Sequence, residues 1–269
     1  MLERPPIGQF VHIEKTAGTS IRSSLERAIG PQYVYIFSPE ADRFARSSDN
    51  LMPATTPILD RVRQGFSNPI LGPVFVHIWA PMLNGMYRDR IRQRYPVLEV
   101  PEDTKVILGH FTASQFNDKL KNRQPILATV IRDPLARAKS HFEHWRRNRG
   151  FEDWRTYIPF DRHTTFKEFI QLPQLQNFQT QALADVALSG FDVVGITEKT
   201  DQFIADFLRV LQEAEIVLEN RNPKQITLNV NHHRSIGDGE ITPNLIGLFK
   251  ELNKDDYALY EEAKELVSR

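Results

Sequence analysis

Two apolar runs in this chain, residues 9–13 and 126–131, each end in a short polar turn that leads at once into a helical pattern. That doubled strand-turn-helix arrangement restricts the fold more than any other feature. After the first run, Ile21, Leu25, Ala28 and Ile29 recur at helical spacing until Gly30-Pro31 stops the helix. The second run, Ile126-Leu127-Ala128-Thr129-Val130-Ile131, is apolar enough for a strand buried on both faces of a parallel sheet. Asp133 follows as a helix cap, with Pro134 at the first helical position. In the helix beyond, Leu135, Ala138, Phe142 and Trp145 share one face, and Arg137, Ser140, His144 and Arg147 fall roughly opposite. The fold class is therefore α/β, a mostly parallel central sheet with helices on both faces. Strands are predicted at 9–13, 33–37, 74–78, 105–109, 126–131 and 193–196. Helices are predicted at 19–29, 134–148, 165–171, 178–188, 200–213, 243–252 and 255–267.

Both turns carry anion-binding chemistry. In Lys15-Thr16-Ala17-Gly18-Thr19-Ser20 the backbone N–H groups can turn inward around an oxyanion, with the positive end of the new helix aimed at the same place. Lys15 adds a cation, the Thr16, Thr19 and Ser20 hydroxyls add donors, and Gly18 lets the main chain approach closely. The pattern is not G-x-x-x-x-G-K-[ST], because its lysine precedes the turn and the first glycine is missing. A plain capped strand-to-helix turn is the competing reading. Arg132 stands at the end of the second strand and Ser140 about two turns along the next helix, where both can hold a second phosphate. Ligands of open α/β sheets bind at that edge.

His12-Ile13-Glu14-Lys15-Thr16-Ala17-Gly18-Thr19-Ser20, paired with Ile131-Arg132-Asp133-Pro134 and the stretch on to Ser140-His141-Phe142, resembles the two phosphate-binding motifs of one enzyme family. These are the sulfotransferases that use 3'-phosphoadenosine 5'-phosphosulfate, PAPS. The likeness is strongest to the branch containing heparan sulfate 2-O-sulfotransferase and its bacterial relatives. It implies a P-loop nucleotide-kinase-like sulfotransferase fold. It also implies that Lys15, Thr16, Ala17, Gly18, Thr19 and Ser20 hold the 5'-phosphosulfate, and that Arg132 and Ser140 hold the 3'-phosphate. Gly109-His110-Phe111 resembles the branch's Gly-His segment, whose histidine is the proposed catalytic base. Asn177-Phe178-Gln179-Thr180, the Val194 to Glu198 segment, Leu228-Asn229-Val230-Asn231 and Asp256-Tyr257-Ala258-Leu259-Tyr260 resemble further recurring segments. Glu14 departs from the pattern, standing where many members carry proline, and residues 38–104 match nothing in it.

Composition narrows the setting. At 269 residues, one large domain accommodates the whole chain, with a possible acceptor-binding or dimerisation insert at about 39–104. Lys+Arg and Asp+Glu both number 34, which gives no bulk attraction to nucleic acid, so any pull on an anionic donor must be local. The absence of cysteine excludes disulfides and thiolate metal sites. No 18-residue apolar span or leader-type start is seen, so a cytoplasmic, bacterial protein without a membrane span is expected.

Sulfuryl transfer needs an in-line nucleophile, charge stabilisation on the leaving phosphate and a base for the acceptor hydroxyl. Lys15 is the expected stabiliser. Histidine suits the base, since its ordinary pKa lies near neutrality. His110 is the first choice, at the end of an apolar run, and His77 is the second. His12 is expected to be buried and hydrogen-bonded, and His141 and His144 to serve packing. Arg234, in a polar loop, is expected to close over the 3'-phosphate as a basic loop does in the resembling family. No metal is required, and the expected acceptor is a hydroxyl, with a polysaccharide or other glycan favoured. Two other functions fit the same motifs less well: an ATP-dependent phosphotransferase and a catalytically silent nucleotide-binding protein.

Overall fold

The structure, a computed structural model, describes residues 4–39, 42–48, 92–147, 164–220 and 241–268. A six-stranded sheet forms its centre. The strands are β1 (Pro6–Val11), β2 (Val34–Ser38), β3 (Arg43–Arg46), β4 (Val106–Gly109), β5 (Gln124–Ile131) and β6 (Val193–Ile196). They lie in the order β3-β2-β4-β1-β5-β6, and all pairs are parallel except β2 with β3. The helices are α1 (Gly18–Ile29), α2 (Pro134–Arg147), α3 (Phe166–Ile170), α4 (Phe178–Ala182), α5 (Thr200–Glu213), α6 (Pro243–Leu252) and α7 (Lys254–Val267). Among the described residues no helix is long and apolar enough to cross a membrane.

The strands are covered on both faces, which is why their sequences read as apolar runs rather than alternations. One face carries Phe10, Val106, Leu108, Ala128 and Val130 against Ile21, Leu25 and Ala28 of α1 and Phe203, Phe207 and Leu211 of α5. The other carries Ile7, Val11, Tyr35, Ile107 and Ile131 against Phe116, Leu183, Leu188 and Ala263 of α7. A third cluster, Ala138, Phe142, Trp145, Phe166, Phe169, Leu245 and Phe249, seats α2, α3 and α6 beside the sheet.

Several expectations shift. β1 runs from Pro6 to Val11 rather than over 9–13. It begins early because proline is tolerated at a strand's first residue. It ends at Val11 because its neighbour β4 ends with the Val11 and Gly109 pair. The predicted 178–188 helix stops at Ala182, where the Leu183 N–H is shared between the Gln179 and Thr180 carbonyls, and a separate 3-10 turn follows at Leu188–Gly190. The antiparallel edge strand β3 was not expected. Phe44 there also bridges to Val97, so both ends of the 39–104 segment meet at the β2 edge. The strand predicted at 74–78 lies outside the described residues.

The strand order places a switch point at the centre. From β1 the chain crosses to β2 on one side, and from β5 it crosses to β6 on the other. The crevice between the carboxyl ends of β1 and β5 is where an open α/β sheet binds its ligand.

Candidate functional site

β1 delivers the loop 12–17 to that crevice. Lys15 has φ 71° and Ala17 φ 65°, ψ 19°, two left-handed residues without glycine's freedom. Each such residue carries roughly 1–3 kcal/mol of strain, which must be held in place by its surroundings. Left-handed residues of this kind occur in anion nests; here the Thr16 N–H between them donates to the Ile13 carbonyl at 3.4 Å, which leaves the nest to the N–H groups that follow. α1 then starts without a side-chain cap. The side-chain cap that a capped strand-to-helix turn would carry is absent at Ala17. The N–H groups of Gly18 and Thr19, in the first helical turn, have no intrahelical carbonyl to bond.

Thr16 does not face this nest. It is fully buried, and its hydroxyl donates to the Ile13 carbonyl at 2.8 Å, closing the turn from below. Gly18 is required for a reason other than ligand approach: a Cβ placed on it would lie 2.0 Å from His12 Nε2. The His12 ring fills that space.

From β5 comes Arg132, half-buried, whose Nη1 donates to the Lys15 carbonyl at 2.9 Å. The two motifs, 117 residues apart, meet directly. Burial lowers the guanidinium pKa, opposed by Glu198 and Asp133, and an arginine stays charged nonetheless. Asp133 caps α2 as expected, accepting from the Ala136 N–H at 2.8 Å. A buried network sets the Arg132 main chain. Gln179 Oε1 accepts from the Arg132 N–H and Gln179 Nε2 donates to its carbonyl, both at 2.9 Å. Asp256 holds α4 in turn, accepting from the Gln179 N–H at 3.2 Å and the Thr180 N–H at 2.8 Å. The Asn177 to Thr180 and Asp256 to Tyr260 segments thus meet behind Arg132. Their sequence alone gave no sign that they pair.

Glu14 also finds a partner on the second motif. Its Oε2 lies 3.3 Å from Nε2 of His141, a fully buried residue. Arg137 Nη1 donates to His141 Nδ1 at 3.2 Å, so the neutral imidazole carries its proton on Nε2, facing the carboxylate. Arg137 was expected on the polar face of α2. Instead it is 1 % exposed, with its guanidinium 4.4 Å over the Phe178 ring, and burial brings its pKa down to about 10. Ser140, half-buried beside His141, sits on the turn of α2 that borders this contact.

β4 supplies His110. The residue is exposed, and its Nδ1 lies 2.7 Å from the His12 carbonyl oxygen. A carbonyl only accepts, so Nδ1 carries the proton and Nε2 keeps its lone pair. The His12 and His110 rings stack at 4.6 Å. Gly109 before it is held by close approach, since a Cβ there would lie 2.6 Å from the Phe37 carbonyl oxygen. A cleft of about 460 Å³ opens beside His110, between the start of α1 and the ends of β2 and β4, with Arg22, Glu26 and Tyr95 on its walls. His77 and Arg234 lie outside the described residues.

His12 departs from expectation, because among the described residues its buried Nε2 has no hydrogen-bond partner. Burial, then His110 and Lys15, hold its pKa well below the ordinary value. Burial, then Arg137, Lys15 and His144, do the same to His141. Both are neutral in the folded protein near pH 7, while the unfolded chain protonates them near pH 6.5. Below that value the unfolded state binds more protons, so acid lowers stability and the loss ends above it. Stability should be flat above pH 7 and fall as the pH drops below 6.5, by up to about 1.4 kcal/mol per pH unit for each histidine, and the melting temperature should fall with it. His141→Gln should make that fall shallower in a series of thermal melts; an unchanged slope would show that His141 does not contribute.

No family model matches this chain, and no curated protein matches it.

Proposed function

We propose that this chain is a sulfotransferase of the PAPS-dependent kind, acting on an acceptor hydroxyl, and that its sheet is the P-loop-kinase-like fold the resemblance implies. One observation carries the reading: the Arg132 bond to the Lys15 carbonyl, which joins at one sheet edge the two motifs assigned to the two phosphate ends of the donor. The donor set fits a polyanion. It comprises the Lys15 ammonium, the Arg132 guanidinium, the Thr19 and Ser20 hydroxyls and the uncapped start of α1, and the nearby carboxylate of Glu14 is turned toward His141.

Bound PAPS supplies a sulfuryl group on a leaving 3',5'-bisphosphate. Lys15 and the first N–H groups of α1 stabilise the charge that collects on the departing phosphate oxygen. Arg132 and Ser140 hold the 3'-phosphate, which fixes the register of the donor along the crevice. His110 Nε2 takes the proton of the acceptor hydroxyl as its oxygen bonds to sulfur. The cleft beside His110 admits the acceptor. Tyr95, on its wall, belongs to the 39–104 segment, which agrees with a role for that segment in acceptor choice.

Thermal melting with three ligands tests the donor. The 3',5'-bisphosphate at about 100 times its Kd should stabilise by ~2.7 kcal/mol, roughly 5–10 °C, and PAPS should act alike. ATP with magnesium should do much less. Arg132→Ala should lose most of the bisphosphate shift. A shift with ATP and none with the bisphosphate would replace this reading with a phosphotransferase.

A further inference from the structure

His12 touches both halves of the site, yet the reaction above gives it no part. Its carbonyl accepts from His110 Nδ1 at 2.7 Å, its ring stacks on the His110 ring at 4.6 Å, and its buried Nε2 edge lies against Gly18, the first residue of α1. The ring also stacks on Phe10 at 5.9 Å. These contacts come from β1, β4 and α1, so the ring is a wedge between the histidine at the end of β4 and the helix start that forms the nest.

We infer that His12 is a positioning residue that holds His110 with its Nε2 lone pair toward the cleft and sets the gap between His110 and the first turn of α1. The inference rests on the reading of His110 as the base. Three features assign this task to His12. Backbone and ring act on His110 together, so the His110 ring is fixed both along its Nδ1–H bond and across its face. The Gly18 contact leaves no room for a side chain, so the ring's place sets where α1 begins. Among the described residues, burial first and then the charges of His110 and Lys15 disfavour a positive charge on the His12 ring, so His12 stays neutral near pH 7.

The free imidazole side chain favours the proton on Nε2, and the His12 contacts impose the opposite tautomer on His110. Nitrogen NMR of the imidazoles in the full chain reads that tautomer without any turnover. Wild-type protein should show His110 protonated at Nδ1. In His12→Ala the carbonyl remains but the stacking is lost, so His110 should become a mixture of tautomers and kcat should fall about 10-fold or more, with KM for PAPS changed less than about threefold. His12→Asn keeps a small planar group over Gly18 and should lie closer to wild type in both readouts; it also carries the test if the alanine variant fails to fold. An unchanged tautomer with unchanged kcat would overturn the inference. So would an unchanged tautomer with kcat abolished, since His12 would then act on the substrate itself. Failure of the sulfotransferase reading appears separately, as a missing bisphosphate shift in melting.

Discussion

Lys15→Ala is expected to lower sulfuryl transfer by about 10²–10⁴-fold, which corresponds to roughly 3–5 kcal/mol of lost transition-state stabilisation. In the proposed reaction the leaving bisphosphate gains charge on the oxygen that bridged to sulfur, and the Lys15 ammonium is the cation proposed to answer it. The substitution isolates the charge. Lys15 already sits at φ 71°, and alanine pays the same left-handed penalty, so the strain of the loop is unchanged. The Arg132 bond to the residue 15 carbonyl involves main chain on one side and survives as well. The variant should therefore melt within a few degrees of wild type while losing turnover and part of its bisphosphate affinity. Lys15→Arg should recover little, because a planar fork does not replace a compact point charge in a tight turn. Single-turnover assays with labelled sulfate check this, and turnover within threefold of wild type would remove Lys15 from the leaving-group role.

The frame of the molecule was readable because its periodicities are local. The strand Val193–Ile196 and the helices Thr200–Glu213 and Pro243–Leu252 fall where the apolar spacing put them. β3 was not readable, since four residues with arginine at each end carry no alternation that separates an edge strand from a loop. Charged residues misled wherever tertiary contacts overrode exposure. Arg137 has the spacing of a solvated face, yet Phe178 and His141, brought in by α4 and by its own helix, pay for its burial. Glu14 departs from the resembling motif, and its partner His141 lies 127 positions away, beyond any spacing rule. The candidate site itself was half legible. Lys15, Arg132 and His110 come from the ends of β1, β5 and β4, as a parallel sheet requires. Thr16 was expected to add its hydroxyl as a donor, and only the fold reveals that Ile13 already takes that hydrogen bond.

His110→Ala should lower kcat by about 10²–10⁴-fold with a signature opposite to that of Lys15→Ala. His110 is exposed and lies beyond the nest, on the cleft side, so bisphosphate affinity should stay within about twofold of wild type and the melting shift should persist. His110→Gln should be as slow as alanine: it retains a hydrogen-bonding side chain but has no lone pair basic enough to hold a proton at neutral pH. Loss of kcat with intact donor binding is the outcome expected of proton removal at the β4 end, whereas Lys15→Ala weakens donor binding as well. If His110→Ala retains its turnover, the base lies elsewhere, and His77 is the next residue to replace.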